Sequence, residues 1–426
     1  MPPDISPPLA TGPNPKAAPR PDAPSTAKGS RWLVPLAFLA FVSLGLPDGV
    51  LGVAWPSLRR SFQQPIDRLG LILLTMMAGY LVSSFCAGTL VRRLGVGRLL
   101  LGSGLLVAAS AALWAAAPAF ALVVATGLLA GAGAGAIDAG INAFAATHFT
   151  PRVITWLHAS WGLGAMTGPL AMTATLAAGL GWRAGYAELA TALVLLSLSF
   201  GLTLGQWDRP PSRARAPRAD ADPAAHLPLA GPSLVEALGN PRVRARAVLF
   251  FVYTGIEAGA GQWAYTFLTE SRGVGAEMAG LATSCYWGSI FVGRIAFGAA
   301  AHHLTPRVLL RLVTRLAPLA ALVVCTTRSG LGGFAGLCVL GLLLAPIFPL
   351  LIAETPARVG ARHAPHSIGF QVAAATLGAG TLPSLAGVLL RRVSLEALGP
   401  FLLAATLVLL VLHERAARAQ SATPAS

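Results

Sequence analysis

What most restricts this chain is a succession of apolar stretches, each about 20 residues long or longer, separated by short breaks that carry arginine or proline. A helix of that length crosses the hydrocarbon of a bilayer. Twelve stretches qualify: 32–55, 67–91, 99–117, 119–147, 153–180, 184–206, 247–269, 278–301, 307–326, 331–355, 367–390 and 395–413. The first exceeds a signal-peptide core and is expected to be retained. With 55% hydrophobic and 11% charged residues, the 426-residue chain has little left for an extramembrane domain.

A formal charge of +15 would point to nucleic acid in a soluble protein, so the position of the charges decides. Nearly all lie in the breaks, with no basic groove interleaved with aromatics, and nucleic acid is excluded as a partner. With the N-terminus inside, cytoplasmic segments hold 22 Lys and Arg against 8 on the other side, leaving Arg294 uncounted within a stretch. Positive residues are retained in the cytoplasm, so both termini are expected there, in a bacterial inner membrane. The four cysteines, Cys86, Cys285, Cys325 and Cys338, all lie in apolar runs, with neither metal-ligand nor disulfide spacing.

The longest break is rich in proline and arginine and divides the stretches six and six. The predicted organisation is a disordered cytoplasmic tail (1–30), a six-helix bundle (31–207), a cytoplasmic central loop (208–246), a second six-helix bundle (247–414) and a cytoplasmic tail (415–426). At an offset of 210 residues Gly45 meets Gly255, Gly49 meets Gly259, Gly70 meets Gly280, Gly88 meets Gly298, Gly131 meets Gly341 and Gly168 meets Gly378. A parallel repeat of this kind fits two halves related by an axis along the membrane normal. The fold class is therefore an all-α membrane protein, with twelve transmembrane helices in two pseudo-symmetric bundles.

The loop Gly88-Thr-Leu-Val-Arg-Arg-Leu-Gly-Val-Gly-Arg98 resembles the signature loop of the Major Facilitator Superfamily, with Arg92 where an acidic residue usually stands. Leu46-Pro-Asp-Gly-Val-Leu-Gly52, Ile137-Asp-Ala-Gly-Ile-Asn142, Leu157-His-Ala-Ser-Trp-Gly-Leu-Gly164 and Ala345-Pro-Ile-Phe-Pro349 are similar to the branch that includes bacterial fucose:proton symporters. That resemblance implies that an acid in span 1 and another in span 4 serve proton coupling and sugar binding. Asp48 and Asp138 stand at those positions, the second similar to a glutamate and one methylene shorter.

The residues themselves point the same way. Asp48, Asp138 and Glu257 lie deep in spans 1, 4 and 7, where three lipid-facing charges would cost on the order of 8–10 kcal/mol. They must line a wet cavity, be protonated or be paired. Asp48 sits between Pro47 and Gly49, which weakens the local helical ladder and predicts a broken helix. Asn142 follows Asp138 by four residues and shares its face. His158 is a candidate proton relay, since its ordinary pKa lies near neutrality. The candidate set is thus Asp48, Asp138, Glu257 and His158 for proton coupling, and Asp138, Asn142, Trp161, Gln262, Trp263 and Gln371 for solute binding.

No catalytic constellation, metal site or nucleotide loop is legible, so no enzyme and no cofactor is expected. The chain reads as a monomeric, lipid-embedded secondary transporter importing a small neutral polar solute, a sugar first among candidates, with protons as the coupling ion. The rivals are an exporter of cationic or amphipathic compounds and a membrane sensor. Anionic solutes are disfavoured because the arginines lie near span ends, with Arg294 and Arg315 the positions most able to overturn that.

Overall fold

The structure is a computed structural model that describes residues 33–207, 233–300, 305–360 and 362–421. Most of the predicted central loop and the predicted N-terminal tail lie outside the described residues. Among the described residues there are helices and short connections and no strand.

The helices in chain order are α1 (Leu33–Ser61), α2 (Leu69–Leu94), α3 (Val96–Ala115), α4 (Phe120–His148), α5 (Pro151–Ala177), α6 (Gly181–Leu202) and a short α7 (Leu204–Trp207). After the undescribed segment come α8 (Leu234–Gly239), α9 (Pro241–Thr266), α10 (Ala276–Ala300), α11 (Pro306–Thr326), α12 (Gly330–Leu344), α13 (Ile347–Val359), α14 (Ala364–Arg392) and α15 (Leu398–Ser421). Their starts are chemically marked. Thr150 caps α5 by accepting from the Val153 N–H, and Asn240 caps α9 by accepting from Arg242, each followed by a proline whose missing N–H costs nothing there.

Nine helical segments of the described residues are long and apolar enough to cross a membrane, with α12 and α13 counted as one. The helices α5, α9 and α10, of 27, 26 and 25 residues, match them in length but are not among the nine. They are also the helices that carry His158, Trp161, Glu257, Gln262, Trp287 and Arg294.

The packing repeats along the chain. Helix α1 packs on α5, α2 on α4, and α3 on both α4 and α6. In the second half α9 packs on α14, α10 on α12, and α11 on both α12 and α15, the same scheme in the same order. The glycine repeat takes part in it. A Cβ on Gly131 would strike the carbonyl oxygen of Met76, and one on Gly341 would crowd that of Tyr286; both the glycines and the carbonyls are 210 positions apart. Only glycine lets those backbones approach so closely.

The halves meet along α5 with α10, α2 with α14, and α1 with α9. Two ion pairs cross between them among the described residues, Arg59–Glu270 at 2.6 Å and Arg391–Asp67 at 3.1 Å. Both lie at one end of the molecule, where α1 and α9 finish and α2 begins.

Three local expectations are corrected. Helix α1 is continuous through Pro47 and Pro56 and runs to Ser61, so there is no break at Asp48. Its glycine edge explains this: Gly49 lies against the Ala165 carbonyl and the Pro169 ring, and Gly45 against the backbone of Trp161, so α5 holds α1 straight. The interrupted helix is instead the tenth stretch, where α12 ends at Leu344 and α13 starts at Ile347 across Ala345-Pro346. Finally, α9 begins at Pro241, inside the stretch read as central loop, and α8 precedes it.

Candidate functional site

Four helices of the first half bring polar groups together. Asp138 and Asn142 lie one turn apart on α4, and the Asn142 amide donates to Asp138 Oδ1 at 2.9 Å. From α2 the Tyr80 hydroxyl donates to the other oxygen, Oδ2, at 2.6 Å. Asp138 thus accepts from two neutral donors, one on each oxygen. Asp48, on α1, lies beside Trp161 of α5, with Glu257 of the other half close enough to act on it through space. The close approach of α1 and α5 sets this geometry, since Gly164 lies against the Val42 carbonyl and admits no side chain. His158 packs its ring edge-on against Phe41 at 5.0 Å and lies within electrostatic range of both Asp138 and Arg294.

The second half contributes a differently built group. Glu257 on α9 accepts from the Tyr253 hydroxyl one turn earlier, at 2.5 Å. Its other oxygen lies 3.6 Å from Arg294 Nη2 of α10, an ion pair with little exposure on either side chain. Arg294 also reaches across the halves. Its Nη1 donates to the His158 carbonyl at 3.3 Å, and its guanidinium sits 5.1 Å from the centroid of the Trp161 ring. Trp161 in turn meets Trp287 of α10 edge to face at 5.6 Å. The Gln262 amide of α9 donates to the Asp48 carbonyl at 2.9 Å, tying α9 to the middle of α1.

The structure therefore gathers Asp48, Asp138, Asn142, His158, Trp161, Glu257 and Gln262 of the expected set around the seam between the halves. It does not gather the other two. Trp263 is fully buried within the second half, where its indole donates to the Pro383 carbonyl at 2.9 Å, which is a packing role. Gln371 is fully buried too, its amide joined to Thr355 and Ser367, and Thr355 also accepts from Arg246. That network lies under α13 and apart from the seam.

Three residues that sequence reasoning did not single out belong to the cluster, Tyr80, Tyr253 and Tyr286, and Trp287, an aromatic candidate ranked below Trp161, joins them. Tyr253 was findable, since it precedes Glu257 by four positions on one helix face. Tyr80 and Tyr286 reach their partners only through tertiary contact, the second by donating to the Glu257 backbone carbonyl at 2.7 Å. Of the two arginines singled out as most able to admit an anion, Arg294 lies inside the cluster, while Arg315 pairs with Glu414 at 2.7 Å.

Three carboxyl groups and one guanidinium thus share the space, and they differ in support. Asp138 has two neutral donors and Glu257 a phenol and a cation, while Asp48 has only the indole of Trp161 beside it. Asp48 is thus the acid with the least support from its neighbours. Asp48, Asp138, Asn142 and Trp161 are each partly exposed, which leaves the group open to a solute or to water.

Comparison with known proteins agrees with this architecture. The family model described as Major Facilitator Superfamily matches residues 37–379. Among curated proteins, Bypass of stop codon protein 6 of Saccharomyces cerevisiae is 22% identical over 387 residues, covering 84% of this chain and 77% of its own length. Among solved structures, the nucleoside transporter NupG superposes with a TM-score of 0.71 at 11% identity, covering 89% of this chain and 98% of its own. A bacterial homologue of the human lysosomal transporter Spinster, in an inward-facing and unoccupied conformation, gives 0.70 at 14% identity, covering 92% and 96%. The Escherichia coli fucose:proton symporter FucP gives 0.60 at 16% identity, covering 90% and 99%. The chain is a multi-pass membrane transporter, not an enzyme, and it belongs to the Major Facilitator Superfamily.

Proposed function

We propose that this protein is a proton-coupled secondary transporter that moves a small neutral polar solute, a sugar first among candidates, across a bacterial inner membrane. The reading has twelve spans in two six-helix bundles, with both termini in the cytoplasm. The solute site lies at the seam between the bundles, and alternating access rocks one bundle against the other. The observation that carries this reading is the convergence of Asp48, Asp138 and Glu257 with Arg294 where the halves meet.

Charge arithmetic disfavours an anionic solute. Glu257 and Arg294 offset one another, and Asp48 and Asp138 add two carboxyl groups, the second met only by the neutral donors Tyr80 and Asn142. An added anion finds no uncompensated cation there. A neutral polar solute needs only hydrogen bonds and avoids that cost. Proton binding at Asp48 then neutralises the acid with fewest donors and lets the loaded carrier reorient.

The two ion pairs between halves lie on the side read as external by the arginine count, which supports a state closed outside and open to the cytoplasm.

The test is uptake into proteoliposomes under an imposed pH gradient across a panel of radiolabelled sugars. The account expects accumulation of at least one sugar that collapses with an uncoupler. Accumulation of tetraphenylphosphonium, with none of the sugars moved, would favour the cation exporter instead.

A further inference from the structure

Three buried polar atoms around Trp161 lack a hydrogen-bond partner: Gln262 Oε1, Trp287 Nε1 and Arg294 Nε. Gln262 and Trp287 are 4% and 2% exposed, so neither is served by bulk water. They are contiguous. Trp287 meets Trp161 edge to face, the Arg294 guanidinium lies over the same Trp161, and the Trp287 ring rests on Gly261, next to Gln262, where any Cβ would collide with it. Gln262 is itself fixed from its other end, its Nε2 donating to the Asp48 carbonyl.

Buried polar groups in folded proteins are almost always paired, and an orphaned set at the seam of a carrier asks what pairs it. Its signs are mixed: two N–H donors, one of them on a cation, and one carbonyl acceptor. A carboxylate or phosphate supplies only acceptors and leaves Gln262 unmet. An ammonium supplies only donors and leaves Trp287 and Arg294 unmet. A hydroxyl is donor and acceptor at once, and neighbouring hydroxyls on one small molecule serve all three atoms. The indole of Trp161 adds an apolar face for the C–H side of such a molecule.

We propose that Gln262, Trp287 and Arg294 form a hydroxyl-reading subsite that selects polyhydroxylated solutes. The inference rests on the transporter reading above and assigns its specificity to residues of α9 and α10 rather than to the carboxylates. In this conformation the three atoms are closed off, and a bound polyol separates Trp161 from Trp287 and takes them up. Arg294 then has two roles that chemistry separates: its charge balances Glu257, while its Nε reads the solute.

Two conservative variants divide these roles. Arg294→Lys keeps the charge and removes the planar fork, and Trp287→Phe removes the N–H while keeping a smaller aromatic ring. Purified wild-type protein is screened by thermal shift against D-galactose, L-fucose, D-glucose and D-mannitol, with tetraphenylphosphonium as the control. The dissociation constant of the most protective polyol is then measured by tryptophan quenching. The subsite predicts weakening of about 2- to 12-fold in Trp287→Phe, and of about tenfold or more in Arg294→Lys, both read on protein that keeps a cooperative melting transition. Unchanged affinity in both variants, with proton-driven uptake of that polyol intact, overturns the subsite and leaves the transporter reading standing. Protection by tetraphenylphosphonium alone overturns both.

Discussion

Asp138 and Glu257 approach the same seam from opposite halves, yet they are held by different chemistry. Asp138 is met by a phenol and an amide, both neutral, both from its own half. Glu257 is met by a phenol and a guanidinium, and that guanidinium also holds the carbonyl of His158 across the seam. Neutral donors tolerate loss of the charge they stabilise, because an amide carbonyl still accepts from one of them and the phenol oxygen can accept from the new amide N–H. A buried cation does not, because its partner's charge is what offsets its own desolvation. The first-half acid is therefore suited to contact with solute, and the second-half acid to holding Arg294 in place.

The largest effect is expected at Glu257. Glu257→Gln leaves Arg294 buried without a counter-charge and should lower stability by about 3 kcal/mol, the lower end for a broken buried pair because Tyr253 and the His158 carbonyl remain. Thermal denaturation in detergent measures it, and the double variant Glu257→Gln/Arg294→Gln should recover part of the loss. Equal destabilisation by Asp138→Asn would erase the proposed contrast between the halves.

Smaller effects are expected on the first-half side. Asn142→Ala should weaken solute binding by about 0.5–1.5 kcal/mol, the net contribution of a hydrogen bond, with expression in the membrane intact. Tyr80→Phe should cost about 1.5 kcal/mol or somewhat more, since its acceptor is a carboxylate. Their double variant should be less than additive, because both donors serve one acceptor. Wild-type affinity and wild-type pH dependence in both single variants would reduce Tyr80, Asp138 and Asn142 to a contact between helices.

Much of this was legible before any coordinates. Apolar length and arginine placement give the helices, and the 210-residue glycine offset reappears as matched contacts at Gly131 with Met76 and Gly341 with Tyr286. The pairing of Asp138 with Asn142 follows from helical periodicity alone. What periodicity does not carry is which face of a helix meets which neighbour. Tyr80 looks like any aromatic in an apolar span until α2 packs on α4, and Gln371 looks like a pore-lining amide until Thr355 takes it up. The expected break at Asp48 failed for a related reason. Proline weakens a helix locally, but the glycines that flank Pro47 let α5 pack close enough to hold α1 continuous, while the helix gives way at Ala345-Pro346.

The claim that a proton travels with the solute, carried at Asp48, is tested most directly by solute-induced pH change. A sugar that the wild-type protein transports is added to de-energised proteoliposomes containing a pH-sensitive dye. Wild type should take up a proton with each solute molecule and alkalinise the outside. Asp48→Asn, which keeps the size and removes the titratable proton, should give no pH change and no uphill accumulation while still exchanging labelled for unlabelled sugar. The same alkalinisation in Asp48→Asn as in wild type would contradict the account.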